Sequence, residues 1–134
     1  PEDAKFTTIK EVVFPTDFAM SYDITTLQPI HDIVKRTRSH LRITHIKKNE
    51  EKLNFDQQSN KEILEDFFDD INYSFHFLSN KKIQDALQSL VENRNINLMA
   101  MVAKNLNYFQ QILFHSKAEK VSYHTTIPFL ILHQ

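Results

Sequence analysis

Leu98-Met99-Ala100-Met101-Val102-Ala103 is an unbroken apolar run of strand length, with no polar residue at either set of alternate positions. A strand that is apolar on both sides suits the middle of a parallel sheet covered by helices on both faces. Upstream, Lys10 to Phe14 reads as a short buried strand that Pro15-Thr16-Asp17 stops, which leaves Asp17 at a strand's C-terminal end. Between about Asp23 and Ser39 the residues Leu27, Ile30, Ile33 and Val34 recur at helical spacing. Thr25 or Thr26 is the expected N-cap, with Pro29 accommodated in the first turn. Leu41 to Ile46 then suggests a second strand, and Ser59-Asn60-Lys61-Glu62 a helix start. Ile63, Leu64, Phe67, Phe68 and Ile71 form the apolar stripe of that helix, with Phe67 and Phe68 in the core.

Asn72 to Leu78 alternates Tyr73, Phe75 and Phe77 with Ser74 and His76, the period of two that marks a third strand. Asn80 is placed to cap a helix with Ile83, Ala86, Leu87, Leu90 and Val91 inside. After Leu98–Ala103 and a loop to about Asn107, a helical region covers roughly Phe109 to His124, and Ile127 to His133 closes as a strand. Five strands alternating with four helices give an α/β domain: an open, doubly wound parallel sheet with right-handed crossovers. The 134 residues form one domain by length, with residues 1–8 linker-like at its start, as in a domain cut from a longer chain.

Composition excludes several functions. There is no glycine, where average usage predicts roughly nine. Backbone cradles for phosphate rely on glycine to reach positive φ and to let the ligand approach closely, so an ordinary nucleotide loop is not expected. Cysteine is absent, which removes disulfides, thiol nucleophiles and cysteine-ligated zinc. The net charge of −1 offers no pull toward nucleic acid or an acidic membrane, and the apolar runs are too short to span a bilayer. A soluble protein of a reducing cytoplasm is the expectation. The seven histidines show no HxH, HxxxH or HExxH spacing, so no metal site is expected. Glu65, Asp66, Asp69 and Asp70 read as the solvated side of a helix, and no serine sits in a glycine-flanked elbow. No residue is nominated as catalytic, and the chain is not expected to be an enzyme.

The strand Val12-Val13-Phe14 with Pro15-Thr16-Asp17-Phe18, the run Ile96 to Met101, and the ending from His115-Ser116-Lys117 through Ile127-Pro128-Phe129-Leu130-Ile131-Leu132 together resemble the universal stress protein family. The resemblance covers nearly the whole chain and is closest to the degenerate second domain of tandem members. It implies the sheet order 3-2-1-4-5. In the ATP-binding branch the fourth strand ends in glycine, a second glycine follows three positions later and a third ten positions further, followed by a hydroxyl residue. Those positions fall on Val102, Asn105, His115 and Ser116 here, so three glycines are replaced and one hydroxyl remains. Branched Val102 does not readily take positive φ, and the His115 ring stands where phosphate oxygens would meet backbone N–H groups. Asn105 alone could imitate glycine in the left-handed region.

The resemblance also matches Asp17 to the family's adenine-pocket aspartate and Ile46 to the aliphatic residue at the end of the second strand. Asp17 is either a ligand contact or a turn residue, and Ser116 either a helix cap or an anion contact. Lys104, His115, Lys117 and Lys120 are either a replacement anion site or a solvated basic helix end. The function expected is a non-enzymatic stress-response domain, interacting or regulatory, with ATP binding lost or greatly weakened and no cofactor. The alternative is a sensor that still binds AMP or ATP through Asp17, Ile46, the main chain at Met101 and Val102, and Ser116. Pro128, Phe129, Leu130, Ile131 and Leu132 form an apolar terminal strand that needs cover at a sheet edge. The resemblance implies that it pairs with a second copy or a tandem sister domain.

Overall fold

The computed structural model describes residues 9–47, 52–79, 97–105 and 128–134. The elements in these residues are β1 (Glu11–Thr16), α1 (Ile24–Thr37), β2 (His40–Lys47), α2 (Phe55–Phe67), β3 (Tyr73–Ser79), β4 (Leu98–Val102), a 3-10 turn (Ala103–Asn105) and β5 (Phe129–Leu132). All strand pairings are parallel and the order is β3-β2-β1-β4-β5, as expected. The helices expected at 80–91 and 109–124, and the linker at 1–8, lie outside the described residues.

The sheet is buried from both sides at its centre. Val12, Phe14, Leu41, Ile43, Leu98 and Ala100 belong to one core cluster with Leu27, Ile30 and Val34 of α1 and Leu64 of α2. Val13, Met99 and Met101 alternate with these along their strands, point to the other face, and are 0%, 2% and 0% exposed. This two-sided burial accounts for the unbroken apolar run of β4.

The element boundaries differ from the sequence expectation in three places. Pro15 does not stop β1: the strand runs on to Thr16, with Pro15 beside Thr44 of β2. The α1 N-cap is Asp23 rather than Thr25 or Thr26, and Thr26 is buried in the first turn. Pro29 therefore falls beyond the first turn, and the carbonyl it leaves without an N–H partner belongs to exposed Thr25. Finally, α2 begins at Phe55, one turn before Ser59. Asn54 is its cap, and a reciprocal capping box joins the Asn54 side chain to Gln57 N–H at 2.8 Å and the Gln57 side chain to Asn54 N–H at 3.0 Å. Of the expected stripe, Leu64 and Phe68 are fully buried, Phe67 and Ile71 are half-buried against the core, and Ile63 is 39% exposed.

Candidate functional site at the C-terminal ends of the strands

In an open sheet of this order, the chain leaves β1 toward β2 on one side and returns to β4 on the other. A crevice opens outside the carboxyl ends of the strands at that reversal. The β1–β4 ladder consists of Val12–Leu98 and Val13–Met99, although β1 continues to Thr16 and β4 to Val102. Pro15 lies in this unpaired stretch and has no N–H with which to extend the ladder. The two strands thus end without bridging each other, and the positions that precede and follow these ends form the candidate site.

Asp17 follows β1 directly. Its Oδ1 accepts from Ala19 N–H at 2.8 Å, an Asx turn that uses one of its two carboxylate oxygens. Phe18 has φ 60°, a left-handed conformation that costs a non-glycine residue roughly 1–2 kcal/mol. Its surroundings hold it there. Phe18 N–H donates to Thr16 Oγ1 at 3.0 Å, and its carbonyl accepts from Asn60 Nδ2 at 2.7 Å. The ring is fully buried, stacked on His45 at 4.6 Å and edge-on to Phe75 at 5.9 Å. Gln57 Nε2 donates to the Asp17 carbonyl at 3.0 Å, so the side chain that closes the α2 capping box also pins this turn.

Tyr22 lies in the loop between β1 and α1. Its ring packs on Phe14 at 5.6 Å and its hydroxyl lies 2.6 Å from Thr16 Oγ1. Burial pushes the phenol up to about 12, the Thr16 hydrogen bond works the other way, and the Asp17 charge adds to the rise. Across the sheet, Gln134 reaches over from the end of β5. Its Oε1 accepts from Asp23 N–H at 3.0 Å and its Nε2 donates to the Ser21 carbonyl at 3.2 Å. The β1–α1 loop is therefore tied to α2 at one end and to the residue pair after β5 at the other.

The remaining expected residues fall as follows. Ile46 lies on β2 one step past the last β1–β2 pair, Thr16–His45, and pairs with Leu78. Met101 and Val102 end β4, both buried, opposite Ile131 and Leu132. Asn105 ends the 3-10 turn, and Lys104 beside it is exposed. Asp17, Ile46, Met101, Val102 and Asn105 are thus all at the carboxyl end of the sheet. Among the described residues only Phe18 and Arg38 have positive φ, so neither Val102 nor Asn105 takes the conformation for which glycine is favoured. His115, Ser116, Lys117 and Lys120 lie outside the described residues. Pro128, just before β5, and Phe129 are exposed, Leu130 and Ile131 half-buried and Leu132 buried. Among the described residues no group of three or more His, Asp or Glu could hold a metal ion, and no helix is long and apolar enough to cross a membrane.

The ties made by the side chains of Gln57, Asn60 and Gln134 go beyond the sequence expectation, which has Asn60 only in a helix start. Asn60 carries a readable signal: it shares the helix face of Leu64 and Phe68 at four-residue spacing, and a polar residue on a buried stripe needs a partner. Gln134 carries none, because its partners are more than 100 residues away in sequence.

No family model matches the chain, and no curated protein does. A solved universal stress protein in complex with cAMP is similar in structure, with 17% sequence identity and a TM-score of 0.55 over 95% of this chain and 98% of that one. At that identity the likeness is one of fold, and this chain has a universal-stress-protein-like α/β fold.

Proposed function

We propose that this is a stress-response domain without enzymatic activity, which acts by association and has lost, or greatly weakened, the binding of ATP. The observation that carries this reading is the backbone after β4. The chain enters a 3-10 turn at Ala103–Asn105 with no positive φ at Val102 or Asn105, where a phosphate cradle would turn its N–H groups toward the ligand. The absence of glycine anywhere in the sequence supports the same conclusion. The degenerate character likens the chain to the second domain of a tandem protein, and a cytoplasmic setting suits its lack of cysteine.

Association through β5 is supported by its place at the edge of this chain's sheet and by its apolar sequence Phe129 to Leu132. The partner is a second copy or a sister domain.

One observation favours a second reading. The turn at Asp17 is held by α2, the loop after it is held at Ser21 and Asp23 by Gln134, and one Asp17 carboxylate oxygen is not used by the Asx turn. A base such as that of cAMP, AMP or ATP could be received there beside Ile46, with Ser116 on the phosphate side. Calorimetric titration with ATP, AMP and cAMP up to millimolar concentration separates the two. Absence of heat supports the degenerate site. Saturable binding that disappears in the Asp17→Ala, Ser116→Ala double variant supports a retained sensor.

A further inference from the structure

Glu11, His40, Arg42, Ser74 and His76 form a half-buried polar cluster away from the crevice, on the first part of strands β1, β2 and β3. They alternate with Val12, Leu41, Ile43 and Phe75 along their strands, so they occupy the sheet face opposite the core cluster of α1 and α2. Arg42 Nε donates to Glu11 Oε1 at 2.6 Å, and Arg42 Nη1 lies 3.4 Å from His76 Nε2. Ser74 Oγ lies 2.8 Å from His76 Nε2 and 2.7 Å from His40 Nε2.

The direction of each bond follows from arginine having donors only. Where Arg42 meets His76, Nε2 must present its lone pair, which makes the imidazole neutral with its proton on Nδ1. Ser74 must then donate its single hydrogen to His76. With that hydrogen used, His40 Nε2–H must be the donor to Ser74 Oγ. The chain runs from His40 through Ser74 to His76, with Arg42 donating to both His76 and Glu11. These bonds join side chains of β1, β2 and β3, which makes the cluster a fastening between strands.

We propose that His76 is a pH-operated tie that holds edge strand β3 to the sheet, and that protonation of its Nε2 releases it. A proton on Nε2 turns this acceptor into a donor: the Arg42 Nη1 contact is lost, Ser74 can no longer donate to His76, and an imidazolium is set 3.4 Å from a guanidinium. Ser74 and His76 are both on β3, and their partners Arg42 and His40 are on β2, so the loss falls on the β2–β3 junction. Among the described residues, the charged and titratable groups that bear on His76 are Arg42 and His40 from β2, which oppose its protonation, and Glu11 from β1, which favours it. Burial is the largest influence and, with Arg42 and His40, holds the imidazole below its ordinary value of 6.5. A base so depressed contributes stability that is complete above its unfolded value and is lost as pH falls through the folded one.

Amide hydrogen exchange followed by NMR from pH 7.5 to 5 tests this, with rates expressed as protection factors and β4 as internal reference. The expected result is that amides of Tyr73–Ser79 lose protection relative to β4 below pH 6.5, by up to about tenfold per pH unit for one proton. His76→Gln, which accepts through Oε1 but does not titrate, keeps the protection at pH 7.5 and abolishes its loss on acidification. Arg42→Gln moves the His76 titration midpoint upward toward 6.5, read from the imidazole Cε1 proton. A β3 that does not respond to pH, a response that persists in His76→Gln, or a midpoint unmoved in Arg42→Gln would each overturn the proposal. Should His76→Gln not fold, the Arg42→Gln titration decides it.

Discussion

Arg38 and Phe18 are two non-glycine residues in the left-handed region, and they differ in what holds them there. Arg38 is the exposed C-cap of α1, φ 56°, with its N–H bonded to the Val34 carbonyl. That position ordinarily belongs to glycine, so Arg38→Gly is expected to raise stability by about 1 kcal/mol, measured by denaturant midpoint. Phe18 is the opposite case, because its ring is core and its carbonyl is held by Asn60. Asn60→Leu removes the donor to that buried carbonyl and is expected to cost about 1–3 kcal/mol, although it adds apolar volume to a helix face. Tyr22 gives the pH counterpart. Its phenol is raised to about 12, so its contribution is complete below pH 10 and is lost as pH rises toward 12. Tyr22→Phe should therefore flatten the alkaline limb of the stability profile between those values.

At the scale of elements, the strands and the extent of α1 were legible, while the cap of α1 and the start of α2 were not. The alternation in Asn72 to Leu78 and the apolar run of β4 come from burial on one face and on both faces, and this is the effect that hydrophobic periodicity records. The start of α2 depends instead on the Asn54–Gln57 capping box. Its signature is written in the sequence but lies ahead of the apolar stripe that drew the boundary to Ser59. Asn54→Ala should cost about 1 kcal/mol and loosen the turn at Asp17 as well, because Gln57 serves both, and exchange at Ala19 N–H reports the second effect. The two helices are further joined where Asp70, just after α2, meets His31 at 2.6 Å and Lys35 at 3.0 Å on α1. The His31 and then the Lys35 hydrogen bonds hold this carboxyl at about 2. The tie is thus complete above the ordinary carboxylate value and is lost as pH falls toward 2, and Asp70→Asn should remove that acid-sensitive part of the stability profile.

For the whole molecule, the sheet order came from the resemblance to universal stress proteins, since periodicity alone does not order parallel strands. The structure has that order, and the solved universal stress protein shares the fold over nearly the whole chain. The candidate site was only half legible. Asp17, Ile46, Met101, Val102 and Asn105 stand at one end of the sheet, but the ties from Gln57, Asn60 and Gln134 arise from contacts between distant segments. Edge strand β5 predicts association: Leu130→Lys or Ile131→Lys should reduce the mass found by sedimentation to that of a single chain, and an unchanged dimer would contradict pairing through this strand.

If the turn after β4 has lost a phosphate cradle, as we propose, glycines placed there should bring it back. Calorimetric titration with ATP would compare the natural chain with a Val102→Gly, Asn105→Gly, His115→Gly variant. We expect no saturable heat from the natural chain and saturable binding by the variant. Binding by the natural chain as tight as that of the variant would contradict the loss of a phosphate cradle.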